Sequence, residues 1–121
     1  MMNTNDDIEN YAKVLKELGH PARLGVYKRL VKAGESGLLV GDLQKELKIP
    51  GSTLSHHLSA LMSVGLIRQV REGRTLFCIP QITLFQQLLG FLHDECCSDG
   101  AIRGRLKAIE PDIRSSTEYK T

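Results

Sequence analysis

Ile49-Pro50-Gly51-Ser52-Thr53-Leu54-Ser55-His56-His57-Leu58 reads as a tight turn running into a helix. Pro50 and Gly51 mark the turn. Leu54, Leu58 and Leu61 then recur at helical spacing, which predicts a helix from Gly51 to about Val64. Its opposite face holds Ser52, Ser55, His56, Ser59 and Ser63, and His57 projects to the border of the apolar stripe. Just upstream, Leu43 and Leu47 predict a short helix over Val40–Lys48. Just downstream, Leu66 to Ile79 changes period. Ile67, Val70, Thr75, Phe77 and Ile79 are strand-type residues around Arg71-Glu72-Gly73-Arg74, which reads as a hairpin tip. Two short helices joined by a tight turn and followed by a hairpin with a basic tip is the order of a winged helix-turn-helix.

Further out, Asp6 to Leu18 predicts a first helix, with Ile8, Ala12, Leu15 and Tyr11, Leu18 at three- and four-residue spacing. Asp6 and Asp7 suit its positive end. Gly19 ends it and Pro21 opens a second helix to about Lys32, with Leu24, Tyr27, Leu30 and Val31 expected inward. The segment from Ile82 to about Cys97 predicts a last helix. Its apolar arc covers half the circumference, wider than one packing seam needs, so one edge is expected on the domain and the other on a partner chain. The expected fold is therefore mainly α, with about five helices and a two-stranded β-hairpin wing. Residues 1–97 form the DNA-binding and dimerisation domain. Residues 98–121 form a polar tail, with a weak helix at Ile102, Leu106 and Ile109 and disorder from Pro111.

Composition narrows the class. A chain of 121 residues is one domain by length. No apolar run approaches the roughly 20 residues of a membrane-spanning helix. The acidic, polar start does not resemble a signal peptide, so a cytoplasmic protein is expected, with no membrane partner. A net charge of +2 does not by itself indicate nucleic acid; the placement of charge must decide. There is no nucleophile–base constellation and no phosphate-binding glycine loop, so an enzyme is not expected.

In a winged helix-turn-helix the second helix of the motif enters the major groove, leading with its N-terminal residues. Ser52, Thr53, Ser55, His56 and Ser59 present small donors there for phosphates or base edges. Arg71 and Arg74 at the hairpin tip can reach backbone phosphate or the minor groove, and Lys45 and Lys48 can add phosphate contacts. A polar face opposite an apolar stripe is, taken singly, an ordinary solvated surface. It is the ordered combination with turn and wing that points to double-stranded DNA.

The chain resembles the ArsR/SmtB family of bacterial repressors over about Leu18 to Leu92. The marks are Leu18-Gly19-His20-Pro21-Ala22-Arg23-Leu24, Gly41-Asp42-Leu43, Ser55-His56-His57-Leu58, Gly65-Leu66-Ile67 and Arg71-Glu72-Gly73-Arg74. The resemblance implies a homodimer joined through the first and last helices. It also implies operator DNA bound in the ligand-free state and released when a metal or metalloid binds. His57 falls at the family's Ser-x-His-Leu histidine, which implies a structural or phosphate-orienting role, and His20 falls at a helix junction. Where the family often has Ser-Gln-Pro in the turn, this chain has Pro50-Gly51-Ser52.

The family's ligand positions carry over residue by residue. An arsenite-type Cys-x-Cys-x-x-Cys site would fall on Leu39, Gly41 and Gln44, so it is absent. A zinc-type site along the last helix would find only His93, Asp94 and Glu95 near its end, and the first ligand pair is missing. What remains is Cys96-Cys97. Adjacent thiols can close a small ring on one soft centre, whereas structural zinc wants four ligands. Family members with a vicinal pair after the last helix answer to trivalent arsenic, so the expected inducer is a trivalent arsenical, arsenite or methylarsenite, with antimonite as a chemical relative. Cys78 is the third cysteine. Most of the residues between it and Cys96 are expected to be helical, which separates the thiols of one chain by over ~20 Å. Cys78 is then a ligand only from a partner chain, or it is a packing residue on its strand. On a helical projection Cys96 continues the face of Leu89 and Leu92, while Cys97 points away. The rival is a sensor of redox or reactive sulfur species working through the same cysteines, although an adjacent pair makes a strained intramolecular disulfide.

Overall fold

The computed structural model describes residues 4–94 and 96–100. Helix α1 spans Thr4–Leu18 and α2 spans Pro21–Ala33. A 3-10 turn, Gly34–Ser36, leads to strand β1, Leu38–Leu39. Helices α3, Val40–Leu47, and α4, Gly51–Ser63, follow. The hairpin is β2, Ile67–Glu72, and β3, Thr75–Pro80, and α5 runs Ile82–His93. The chain divides into two compact units after Leu88. The sequence readings for Ile102 to Ile109 and for Pro111 to Thr121 lie outside the described residues.

In the first unit, α1, α2, α3 and α4 close over one apolar core with the sheet at its edge. Val14 of α1, Val26, Tyr27 and Leu30 of α2, Leu43 of α3 and Leu54, Leu58 and Leu61 of α4 are all buried there. The leucine stripe on α4 thus packs as its spacing predicts. Helix α2 starts where the local chemistry dictates. His20 is extended and its Nδ1 accepts the amide of Ala22 at 3.2 Å, satisfying one orphan donor of the first turn, while Pro21 has no amide to satisfy. Arg23 ties α2 back to α1: its Nη1 donates to Glu17 Oε1 at 2.6 Å and to the Glu17 carbonyl at 3.3 Å.

Three expectations are corrected. The wing has a third strand: the sheet order is β1-β3-β2, all antiparallel, with Leu38 opposite Cys78 and Leu39 opposite Phe77. Gly37 makes this approach feasible. It sits at φ 73°, and a Cβ there would lie 2.6 Å from the Cys78 carbonyl oxygen. Leu24 does not face inward but is 50% exposed. Val26, Tyr27 and Leu30 set the buried line of α2, and at ~100° per residue Leu24 falls well off it. Finally, α5 does not reach the cysteine pair. It stops at His93, a turn closes with the Cys96 amide on the His93 carbonyl at 2.8 Å, and Cys97 takes a left-handed φ of 64°. Cys96 is exposed, as are Leu89 and Leu92, whose face it was expected to continue, and Cys97 is half-buried. No helix among the described residues is long and apolar enough to cross a membrane.

Candidate nucleic-acid interface

Helix α4 is held from below by Leu54, Leu58 and Leu61, and this fixes which face it presents. Ser52, Thr53, Ser55, His56 and Ser59 are all exposed on it. The helix is entered from α3 by a tight connection. Lys48, exposed, adopts the left-handed conformation (φ 54°, ψ 45°), and its amide donates to the Gln44 carbonyl. Pro50 then precedes α4, and the Leu54 amide reaches its carbonyl at 2.9 Å. Lys45 is exposed on α3.

At the hairpin tip Glu72 pairs with Thr75, leaving Gly73-Arg74 as a two-residue loop. Gly73 has φ 65°, the positive value that tight hairpin turns require and that glycine adopts without strain. Arg71 and Arg74 are exposed, and neither forms an ion pair among the described residues. The tip is thus a small projecting loop carrying two uncommitted guanidinium groups.

His57 is the exception on α4. It is not at the border of the stripe but inside, at 5% exposure, the buried polar residue of the core. Its Nδ1 has no hydrogen-bond partner. Its ring centroid is 4.9 Å from that of His20 and 6.0 Å from that of His56. Burial pushes its pKa below the ordinary histidine value, and the charges of Arg23, His20 and His56 push the same way. A side chain so enclosed is not on the face that Ser52 and His56 share. Arg23 and Glu17 brace the α1–α2 junction; the sequence signal of that pair is opposite charges at i and i+6 across the Gly19–Pro21 break.

The cysteines fall into two settings. Cys78 is fully buried on β3, opposite Gln69, whose Nε2 donates to its sulfur at 3.5 Å. Burial raises its pKa, so it is a thiol at neutral pH. In the second unit, the Sγ atoms of Cys96 and Cys97 lie 3.0 Å apart. Among the described residues, no group of three or more His, Cys, Asp or Glu side chains is placed to hold a metal ion.

A helical core, an exposed polar face on α4 and a basic β-hairpin define a winged helix-turn-helix, a DNA-binding class. Residues 18–70 match a helix-turn-helix domain family. Two relatives extend the match over most of the chain. The transcriptional activator HlyU of Vibrio cholerae is 30% identical over 99 residues, covering 79% of this chain and 89% of that protein. The biofilm growth-associated repressor of Xylella fastidiosa is also 30% identical over 99 residues, covering 78% and 84%. The chain belongs to the ArsR family of helix-turn-helix transcriptional regulators. It is a regulator and not an enzyme.

Solved structures agree on the fold. An ArsR-like regulator from Rhodococcus superposes with a TM-score of 0.64 at 20% identity, covering 95% of this chain and 94% of that one. A homodimeric winged helix-turn-helix domain from Mycobacterium bovis gives 0.59 at 21%, covering 84% and 94%. HlyU, solved in its reduced form, gives 0.61 at 26%, covering 78% and 96%.

Proposed function

We propose that this chain is a dimeric repressor that holds operator DNA with α4 and the wing, and releases it when a trivalent arsenical is captured by Cys96 and Cys97. The observation that carries the sensing half is the convergence of the two sulfurs to 3.0 Å just past the end of α5. Two bonds of about 2.3 Å, a typical metal–thiolate length, meeting near a right angle would span roughly 3.3 Å. The pair therefore needs little movement to grip one soft atom. Among the described residues no third His, Cys, Asp or Glu side chain is grouped with the two sulfurs, and a two-sulfur site suits a centre content with two protein ligands, such as methylarsenite. Inorganic arsenite or antimonite would need a small thiol or hydroxide to complete it.

For the DNA half, Ser52, Thr53, Ser55, His56 and Ser59 would face base edges and phosphates from the groove-entering helix. Arg71 and Arg74 would reach flanking backbone, and Lys45 would add a phosphate contact. His57 would support this helix from inside instead of touching DNA. Dimerisation is supported by apolar side chains left open on each of the two helices that the family resemblance assigns to the interface. Ile8 and Leu15 on α1, and Leu89 and Leu92 on α5, are all exposed. The Mycobacterium bovis neighbour is itself homodimeric. Two recognition helices would then address half-sites about 34–36 Å apart. Release requires that the arsenical bind the DNA-free dimer more tightly than the bound one.

The test is a titration of arsenite and, separately, methylarsenite into a protein–operator complex. Wild type should release DNA, and a Cys96→Ser, Cys97→Ser double variant should keep it at saturating arsenical. Release from the double variant sinks the sensing reading. A second reading, a sensor of redox or reactive sulfur species, is favoured by one observation: the relative HlyU has been solved specifically as its reduced form. Mass spectrometry after oxidant, sulfide donor or arsenical separates the two, because only the last leaves an arsenic adduct across both sulfurs.

A further inference from the structure

We propose that His57 is a positioning residue: its neutral imidazole seats α4 on the α1–α2 junction, and proton uptake there weakens DNA binding. The proposal rests on α4 being the DNA-reading helix. It begins from an imbalance in the core. His57 Nδ1 and Arg23 Nε are both buried without hydrogen-bond partners, although buried polar atoms are ordinarily paired. They occupy the same junction, with His20 stacked obliquely on the His57 ring at 4.9 Å and 51°.

The groups facing His57 decide what a proton would meet. From the α1–α2 link comes His20. From α2 comes Arg23, whose charge is partly offset by Glu17 of α1 at 2.6 Å. From α4 itself comes His56 at 6.0 Å. Strand β2, also against α4, sends Ile67 into the core, while its Arg68 lines the cavity of about 440 Å³ near the start of α5. Among the described residues no carboxylate accepts a bond from His57 Nδ1, and Glu17 is already engaged by Arg23. An imidazolium at this site would be buried beside a guanidinium with no acceptor, an arrangement that is relieved by moving the ring outward. His57 is flanked in sequence by His56 and stands two residues from Ser55 and Ser59, all exposed on the proposed DNA face. Moving the ring therefore moves that face.

The sign of the effect separates this mechanism from ordinary electrostatics. Positive charge added to a surface that faces phosphate strengthens binding. Displacement by His57 does the opposite.

The experiment uses the full chain and a labelled duplex enriched by the wild type from a random-sequence pool at about pH 7.5, with binding followed by anisotropy at fixed ionic strength. Between about pH 7.5 and about pH 5.5, either side of the ordinary histidine pKa, wild-type affinity should fall by roughly fivefold or more. That of His57→Gln should stay flat or rise. Equal falls in both proteins, or a flat or rising wild type, overturn the proposal. If His57→Gln does not fold, NMR of the wild type decides: the His57 ring proton titrating together with the amides of Ala22 and Arg23 supports it, and a titration that leaves those amides unmoved overturns it. A protein that enriches no duplex at about pH 7.5 overturns the DNA-binding reading, and this proposal with it. One that binds with pH-independent affinity overturns this proposal alone.

Discussion

The imidazoles of His20 and His57 stand 4.9 Å apart, one on the link between α1 and α2 and the other on the buried side of α4. The two rings are used differently. His20 Nδ1 accepts the Ala22 amide, while His57 Nδ1 has no partner. One contact thus joins a helix cap to the underside of the helix that faces outward with Ser52, Ser55 and His56.

His20→Ala should remove the α2 cap. Loss of an N-cap side chain is worth about 1 kcal/mol, which in a domain of this size lowers Tm by roughly 4–8 °C. His20→Asn, which can accept the same amide, should recover most of it. Thermal unfolding followed by circular dichroism measures both; equal Tm values for wild type and His20→Ala would show that the bond does not stabilise the helix.

Stability should depend on pH through His57. The unfolded chain takes up this proton near the ordinary value of 6.5, and the folded chain resists it to lower pH because the ring is buried beside Arg23. The unfolded state therefore binds more protons in that window. The stabilisation from a neutral, packed His57 is present above pH 6.5 and is lost as pH falls below it. Urea midpoints across this range should decline, and His57→Leu should flatten the decline.

Lys48→Gly should stabilise the domain. A non-glycine residue in the left-handed region is disfavoured by roughly 1 kcal/mol, and Lys48 holds φ 54° at the end of α3. A gain of about 0.5–1 kcal/mol in urea unfolding is expected. If Lys48 touches phosphate, the same variant binds DNA less tightly, so stability and affinity move in opposite directions.

Arg71→Ala and Arg74→Ala should weaken DNA binding on all sequences alike. Each lost phosphate contact lowers the slope of log affinity against log salt by about 1. Because both side chains project from the wing tip into solvent, the melting temperature should not change. A variant that alters preference among duplexes without altering the salt slope would instead place its arginine on a base edge.

The helix-turn-helix was legible because its signals are local. The Leu54-Leu58-Leu61 spacing marks the buried stripe of α4, and Glu72-Gly73-Arg74 carries its own turn chemistry. What escaped depended on distant partners. Strand β1 is two residues long and has no period to read; it exists because Gly37 lets the chain lie against Cys78, some forty positions on. Leu24 was misplaced because several apolar residues on α2 fit a helical repeat, and only packing against the other helices selects the line through Val26 and Leu30. His57 sits at the border of a projected wheel, and the layer supplied by His20 and Arg23 encloses it. The end of α5 was set too late because nothing between Leu92 and Cys97 breaks a helix outright. The proposed DNA face follows from the sequence as a set of residues, and the structure adds which of them share an exposed side.

The enclosure of Cys78 gives the protein a built-in gauge. Its thiol is sealed on β3 at zero exposure with a raised pKa, whereas Cys96, past the end of α5, is exposed. A small alkylating reagent should therefore label the chain in two stages, the vicinal pair while the domain is folded and Cys78 only as the sheet opens. The lag between the stages clocks unfolding without any added probe. It also allows arsenical protection of the pair to be told apart from ligand-induced tightening of the whole domain, since only the latter would slow the second stage.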